Sequence, residues 1–374
     1  MKYYIIVGEA SGDVHGAKLM KGIKDNDPQA EFRFWGGDRM VEHGGVENLV
    51  HHYREQAFMG AVEVIQHLGT IKKRLKECKE DIKNYNPEVV ILIDYSGFNL
   101  KIAKYVKSID IKVFYYILPK VWAWNESRIG KLKKYVDELF VILSFEVDYF
   151  KKHDLKVHYL GNPIVDEVED KKRVVRDTLD EFKKNINIQK KEGGYTIALL
   201  AGSRKQEIYY NLPFMVKLAN SMPESRFLLA GVSWLEREQY EKYLSKSIGN
   251  IELLTDKTYE ILLSSDGAVV TSGTATLETA LLGIPEVVVY KCASITYFLG
   301  SFIIRKIHYI SLSNLMFKRI CIDEFIQSRV KPHLVRKGLL NVIEEGERRK
   351  KLLEDYKLLS EMAGKEGSSE RVAK

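Results

Sequence analysis

Short apolar runs rich in β-branched and aromatic residues alternate along the chain with longer stretches of helical periodicity. The runs at 3–8 (YYIIVG), 32–37, 89–94 (VVILID), 112–118, 138–143 and 157–161 predict strands. Continuous apolar strands separated by helices predict a parallel sheet covered on both faces. The pattern restarts at 196–202 (TIALLAG) and runs on through 226–231, 251–255, 267–271 and 286–290, which predicts a second parallel sheet. Between the two, 166–195 is densely charged and ends in Gly193-Gly194, as expected of a surface helix and linker. From about 333 the chain is helical and rich in lysine and glutamate. The fold class is therefore α/β, with two doubly wound domains facing a cleft. Residues 1–165 form the first domain, 166–195 the charged linker, 196–340 the second domain and 341–374 a helical tail. Ligands of such sheets bind beyond the carboxyl ends of the strands, so functional residues should lie just after them.

Composition agrees with two domains. The chain has 374 residues, 45% hydrophobic and 29% charged, too many for one ordinary core. A net charge of +7 favours anionic partners: nucleotides, anionic lipid surfaces or nucleic acid. The basic run at 72–83 is interleaved with acids at helical spacing, which marks a solvated face and argues against nucleic acid. Cys78, Cys292 and Cys321 are odd in number and far apart, so neither a zinc site nor a disulfide framework is expected, and a reducing cytosol is the simplest setting. The N-terminal apolar stretch is short and runs into a glycine–acid turn, unlike a signal peptide. The most lipophilic segment, 294–312, is interrupted by Arg305, Lys306 and His308 before it could span a bilayer. It reads either as an amphipathic stretch lying on a membrane or as an ordinary packed helix. The DND at 25–27 has metal-motif spacing but precedes Pro28 and reads as a turn. No HExxH or similar histidine spacing occurs, so no metal is expected.

Five stretches carry candidate chemistry. In TSGTATLETALLGIP (271–285), small residues follow a strand and open a helix. The first amides of that helix lack internal partners and sit at its positive end, which suits a phosphate. Gly273, Thr274, Ala275 and Thr276 would supply them. Glu278, four positions after Thr274, could accept hydrogen bonds from ribose hydroxyls. The alternative is a solvated glutamate beside a generic helix start. In LLAGSRKQE (199–207), Ser203 and Arg204 follow a strand, and the Arg204 fork suits phosphate oxygens, unless it is simply a surface arginine. In IIVGEASGDVHGA (5–17), Gly8, Gly12 and Gly16 surround Glu9, Ser11 and Asp13. The acids would repel phosphate, so a sugar is the better ligand, and a tight strand–helix turn explains the same residues. In ILIDYSGFNL (91–100), Asp94 closes a buried strand, either as a general base or as a cap for the next helix. In ILPKVWAWNESR (117–128), Trp122 and Trp124 could pack on sugar or acyl chains, or be core.

Taken together, GEASGD (8–13), MGAVEVI (59–65), IDYSGFNL (93–100), PKVWAW (119–124), FEVDYF (145–150), GNPIVDE (161–167), GSRKQEI (202–208), SGTATLETAL (272–281) and SLSNL (311–315) resemble the lipid-A-disaccharide synthases in order and spacing. These are membrane-associated glycosyltransferases of the two-Rossmann, GT-B architecture. The resemblance implies transfer from UDP-2,3-diacylglucosamine to 2,3-diacylglucosamine 1-phosphate. The products would be a β(1→6)-linked disaccharide 1-phosphate and UDP, formed with inversion and without a metal or other cofactor. It also implies a peripheral location on the cytoplasmic face of the inner membrane, and homodimers are known in the family. The family's residues carry over as Glu9, Ser11, Arg204, Glu278 and Asn314. Two positions depart from it. Gly97 stands where some relatives carry a second acid, which leaves Asp94, or else Glu9, as the expected base. Ser313 stands where proline is common. Segments 56–65 and 294–312 are the expected acyl-chain path. Rival readings are another nucleotide-sugar enzyme on this scaffold, such as a UDP-N-acetylglucosamine 2-epimerase or a transferase with a different lipid acceptor, and a non-catalytic nucleotide-sugar or membrane-binding protein.

Overall fold

The computed structural model describes residues 1–56, 68–123, 125–292 and 309–374. Residues 57–65 of the expected acyl path, Trp124, and 294–308 of the lipophilic segment lie outside them. The chain divides into two compact units, Met1–Pro163 with Gly364–Lys374, and Ile164–Ala363.

In the first unit β1 (Lys2–Ile6), β2 (Glu31–Gly36), β3 (Leu49–His52), β4 (Val89–Ile93), β5 (Lys112–Tyr116), β6 (Glu138–Val141) and β7 (His158–Tyr159) form a parallel sheet in the order β3-β2-β1-β4-β5-β6-β7. The helices between them are α1 (Ala10–Asn26), α2 (Asp38–Gly44), α3 (Leu68–Tyr85), α4 (Ser96–Ser108), α5 (Arg128–Tyr135) and α6 (Ser144–Lys151). Side chains alternate across the sheet. Tyr4, Ile6, Val90 and Leu92 join one apolar cluster, and Ile5, Val7, Val89, Ile91 and Ile93 join another on the opposite face. Burial on both faces is why these strands read as unbroken apolar runs.

The second unit begins with α7 (Pro163–Arg176) and α8 (Leu179–Lys184). Its strands are β8 (Thr196–Leu200), β9 (Arg226–Gly231), β10 (Ile251–Thr255), β11 (Gly267–Thr271), β12 (Glu286–Tyr290) and β13 (Glu324–Ile326), parallel in the order β10-β9-β8-β11-β12-β13. Its further helices are α9 (Lys205–Asn220), α10 (Glu238–Leu244), α11 (Thr258–Leu263), α12 (Ala275–Leu281), α13 (Leu312–Phe317), α14 (Pro332–Ile343) and α15 (Glu347–Ala363); α16 (Ser368–Ala373) follows them. Both sheets reverse their strand order once, between β1 and β4 and between β8 and β11. These are the two topological switch points where doubly wound sheets open a crevice.

Two segments differ from expectation. Residues 166–195 carry the expected helix but belong to the second unit and do not stand apart as a linker. Val165, Val168, Val175 and Ile186 are buried, and Ile186 belongs to the core under β8 and β11; Asp166 is buried with them, and the exposed charges lie on the outer face. The helical tail divides. Leu352, Tyr356 and Leu359 of α15 are buried in the second unit, whereas Val372 and Ala373 of α16 pack against the core of the first. Among the described residues no helix is long and apolar enough to cross a membrane.

Candidate functional site

Each switch point carries a cluster of the residues singled out above. In the first unit, β1 delivers Gly8 and Glu9, and β4 delivers Asp94. Glu9 precedes α1 in extended conformation (φ −154°, ψ 169°) and does not cap it with its side chain. Its Oε1 instead accepts a 2.7 Å hydrogen bond from Ser11 Oγ. Gly8 is required by packing, since a Cβ there would lie 2.3 Å from the Tyr95 ring.

Asp94 and Tyr95 both adopt left-handed backbone, each with φ +44°. Non-glycine residues take this conformation at a cost of about 1–3 kcal/mol each, so the surroundings must impose it. They do so through the Asp94 main chain. Its N–H donates to the Tyr116 carbonyl (3.2 Å), and its carbonyl accepts from Tyr115 Oη (2.6 Å) and Asn99 Nδ2 (2.9 Å). The result aims the Asp94 carboxyl at Glu9, with which it shares a hydrogen bond. Burial, and after it the charge of Glu9, push Asp94 from the ordinary 3.8 up to about 6, against the opposing pull of Lys120. Gly97 is exposed, and a Cβ there would meet nothing within 4 Å, so a side chain fits at this position.

Other residues near this cluster turn to structure. Asp13 is buried and caps the start of α2, accepting from the amides of Gly37 (2.7 Å), Arg39 (3.1 Å) and Met40 (3.2 Å). Trp122 is core. Its indole donates to Glu146 (2.9 Å), a carboxyl that burial pushes up to about 7.

In the second unit, Gly202 has φ +105°, a conformation that glycine adopts without strain. Glu207 folds back over it and accepts from the amides of Ser203 (3.0 Å) and Arg204 (3.2 Å). Those amides are therefore taken. What this loop offers an anion is the exposed Arg204 guanidinium, in a loose 3.9 Å ion pair with Glu207, together with the Ser203 hydroxyl.

After β11, Ser272 is fixed by its hydroxyl on the Ile310 carbonyl (2.8 Å). Gly273 and Thr274 are exposed, and the space above Gly273 is open. Thr276 departs from expectation. Its amide and hydroxyl both turn back to the Gly273 carbonyl (3.4 and 2.9 Å), because the helical conformation already begins at Thr274 (φ −62°, ψ −31°). The outward amides are thus those of Gly273, Thr274 and Ala275. Glu278 is half-buried, and its carboxylate accepts from Tyr259 Oη (2.8 Å) and from the Thr274 side chain. Burial raises its pKa, and both hydrogen bonds oppose that shift.

Asn314 also departs from expectation. It is fully buried, donates to the Ile322 carbonyl and Glu324 (2.8 Å each), and accepts from the amides of Cys321 (2.8 Å) and Ile322 (3.0 Å). With its side-chain amide spent this way, Asn314 locks the 311–322 loop. Tyr259 and Glu207 were not foreseen. Glu207 stands three positions after Arg204, the spacing at which an acid caps a helix start, and that signal was available. Tyr259 has no local signal, because its contact to Glu278 is tertiary. Among the described residues no group of three or more His, Cys, Asp or Glu side chains could hold a metal ion.

Comparison with known proteins gives the family and the fold. A family model described as lipid-A-disaccharide synthetase matches residues 3–373. The lipid-A-disaccharide synthase of Syntrophus aciditrophicus is 34% identical over 99% of this chain and 95% of its own length. That of Nitrosococcus oceani is 33% identical over 96% and 92%. Among solved structures, the UDP-GlcNAc 2-epimerase of Neisseria meningitidis bound to UDP-GlcNAc superposes with a TM-score of 0.64, covering 100% of this chain and 98% of its own, at 12% identity. That last likeness is one of fold alone, two doubly wound units of GT-B type. The match over nearly the whole length is of another kind, and it establishes that this chain belongs to the lipid-A-disaccharide synthase family of hexosyltransferases.

Proposed function

We propose that the chain joins UDP-2,3-diacylglucosamine to the 6-hydroxyl of 2,3-diacylglucosamine 1-phosphate, releasing UDP and the β(1→6) disaccharide 1-phosphate. Family membership across residues 3–373 is the observation that carries this reading over the epimerase and binding-protein alternatives. The second unit holds the donor. The Gly273–Ala275 amides and Arg204 take the diphosphate, and Glu278, steadied by Tyr259, takes the ribose hydroxyls. Fixed donors aimed at the departing diphosphate stabilise its charge as the anomeric bond breaks. In the first unit Asp94 receives the proton of the acceptor hydroxyl. With a pKa of about 6 it is about nine-tenths ionised at neutral pH and still basic enough to assist. Glu9, oriented by Ser11, sets that basicity. Direct displacement of this kind inverts the anomeric centre. The protein acts as a peripheral enzyme on the cytoplasmic face of the inner membrane.

The test is turnover with both purified lipid substrates, with and without EDTA. UDP and disaccharide 1-phosphate should appear in equal amounts and at the same rate in both arms. No UDP release in the presence of both lipids would remove the transferase reading, and loss of activity in EDTA would remove the metal-free mechanism. Sedimentation of the purified chain tests the homodimer implied by the family.

A further inference from the structure

The donor site as described accounts for a diphosphate and a ribose and leaves the nucleobase without a partner. Trp234 lies in the loop after β9, next to β8 in the sheet, and β8 is next to β11. Two strand spacings, about 10 Å, therefore separate the Trp234 loop from the Gly273 loop, with the Arg204 loop between them. Trp234 is 69% exposed, an unusual state for the largest apolar side chain. It is nevertheless fixed. Its indole N–H donates to the Ser203 carbonyl (3.1 Å), beside Arg204. The preceding residue donates its amide to Asp256 Oδ1 (3.1 Å), and the Asp256 amide is bonded to the Gly231 carbonyl (3.0 Å). Three residues beyond Asp256 is Tyr259, the side chain bonded to Glu278. One hydrogen bond thus ties the ring to the diphosphate loop. The other ties its base to the segment that reaches the ribose-binding carboxylate.

We infer that Trp234 is the stacking wall for the nucleobase of bound UDP. An indole pinned at its N–H keeps its faces open, loses little freedom when a flat ring settles on it, and gains the burial of its exposed surface. This rests on the UDP reading of the donor site and extends it to the base.

The test follows tryptophan emission of the full chain titrated with UDP, uridine and inorganic pyrophosphate, in wild type, Trp234→Phe and Trp234→Ala. Because the ring is exposed, both variants should melt like wild type. UDP and uridine should quench wild-type emission saturably, and pyrophosphate should not. The quench should vanish in Trp234→Phe. By calorimetry, Trp234→Ala should bind UDP about tenfold more weakly, in keeping with the usual worth of one base–aromatic stack, with pyrophosphate affinity unchanged. Persistence of the UDP quench in Trp234→Phe, or a UDP affinity in Trp234→Ala within twofold of wild type, overturns the stacking role alone. Failure of wild type to bind UDP at all overturns the donor-site reading and this inference with it.

Discussion

Asp94→Asn should separate activity from stability. Asp94 titrates at about 6 in the folded chain and near 3.8 when unfolded. Between those values the folded state keeps a proton that the unfolded state has lost, so stability falls as pH rises through the window. Two units at about 1.4 kcal/mol each put the full cost near 3 kcal/mol above pH 6, with about half of it present at pH 5. Asparagine carries no charge and removes that cost. The variant should therefore be more stable than wild type at pH 8. Its advantage should grow by about 1.5 kcal/mol between pH 5 and pH 8, or about 3–6 °C in melting temperature for a unit of this size. At the same time kcat should drop by about 10²–10⁴, as on losing a general base, while UDP affinity holds. Paired thermal melts at the two pH values, with turnover at pH 8, read both effects. A stability difference that is flat with pH, or negative at pH 8, refutes the protonated-acid picture. Wild-type turnover refutes the base.

Three further substitutions probe the rest of the site. Arg204→Ala should lower kcat/KM by about 10²–10³ with little change in melting temperature, because the side chain is exposed and only its charge is used. Tyr259→Phe should weaken UDP binding several-fold by freeing the Glu278 carboxylate to move, and calorimetry would show this; an unchanged affinity would detach Tyr259 from the donor site. Asn314→Ala strips the partners from the Ile322 carbonyl and two buried amides, and should lower stability by about 3 kcal/mol in urea titration, the mark of a structural residue.

The sequence made some of this legible and not the rest, for physical reasons. β1, β4, β8 and β11 are buried on both faces, so their apolar runs are continuous and visible. β3 is a half-buried edge strand with two histidines, and β13 is three residues long, so neither gives a periodic signal. The turns at Gly8, Asp94, Gly202 and Gly273 announce themselves locally, where a strand ends in small or acidic residues. Their partnerships do not. Glu9 meets Asp94, and Tyr259 meets Glu278, only because the strand order brings distant loops together. The inward turn of Thr276 and Asn314 follows from where each helix begins, which spacing alone leaves undetermined within a residue or two.

The return of α16 to the first unit has a consequence for biosynthesis. Gly22 lacks the Cβ that would crowd Ala373, Arg371 Nε donates to the Leu160 carbonyl (2.8 Å), and Ser369 lies against Tyr116 Oη (3.3 Å). The second unit is thereby an insertion, a 200-residue excursion from Ile164 to Ala363 enclosed by a domain begun before it. On the ribosome the usual order, first domain finished first, is reversed. The second unit can close while its host still waits for its final helix, so cutting the chain short after Ala363 would damage the half made earliest.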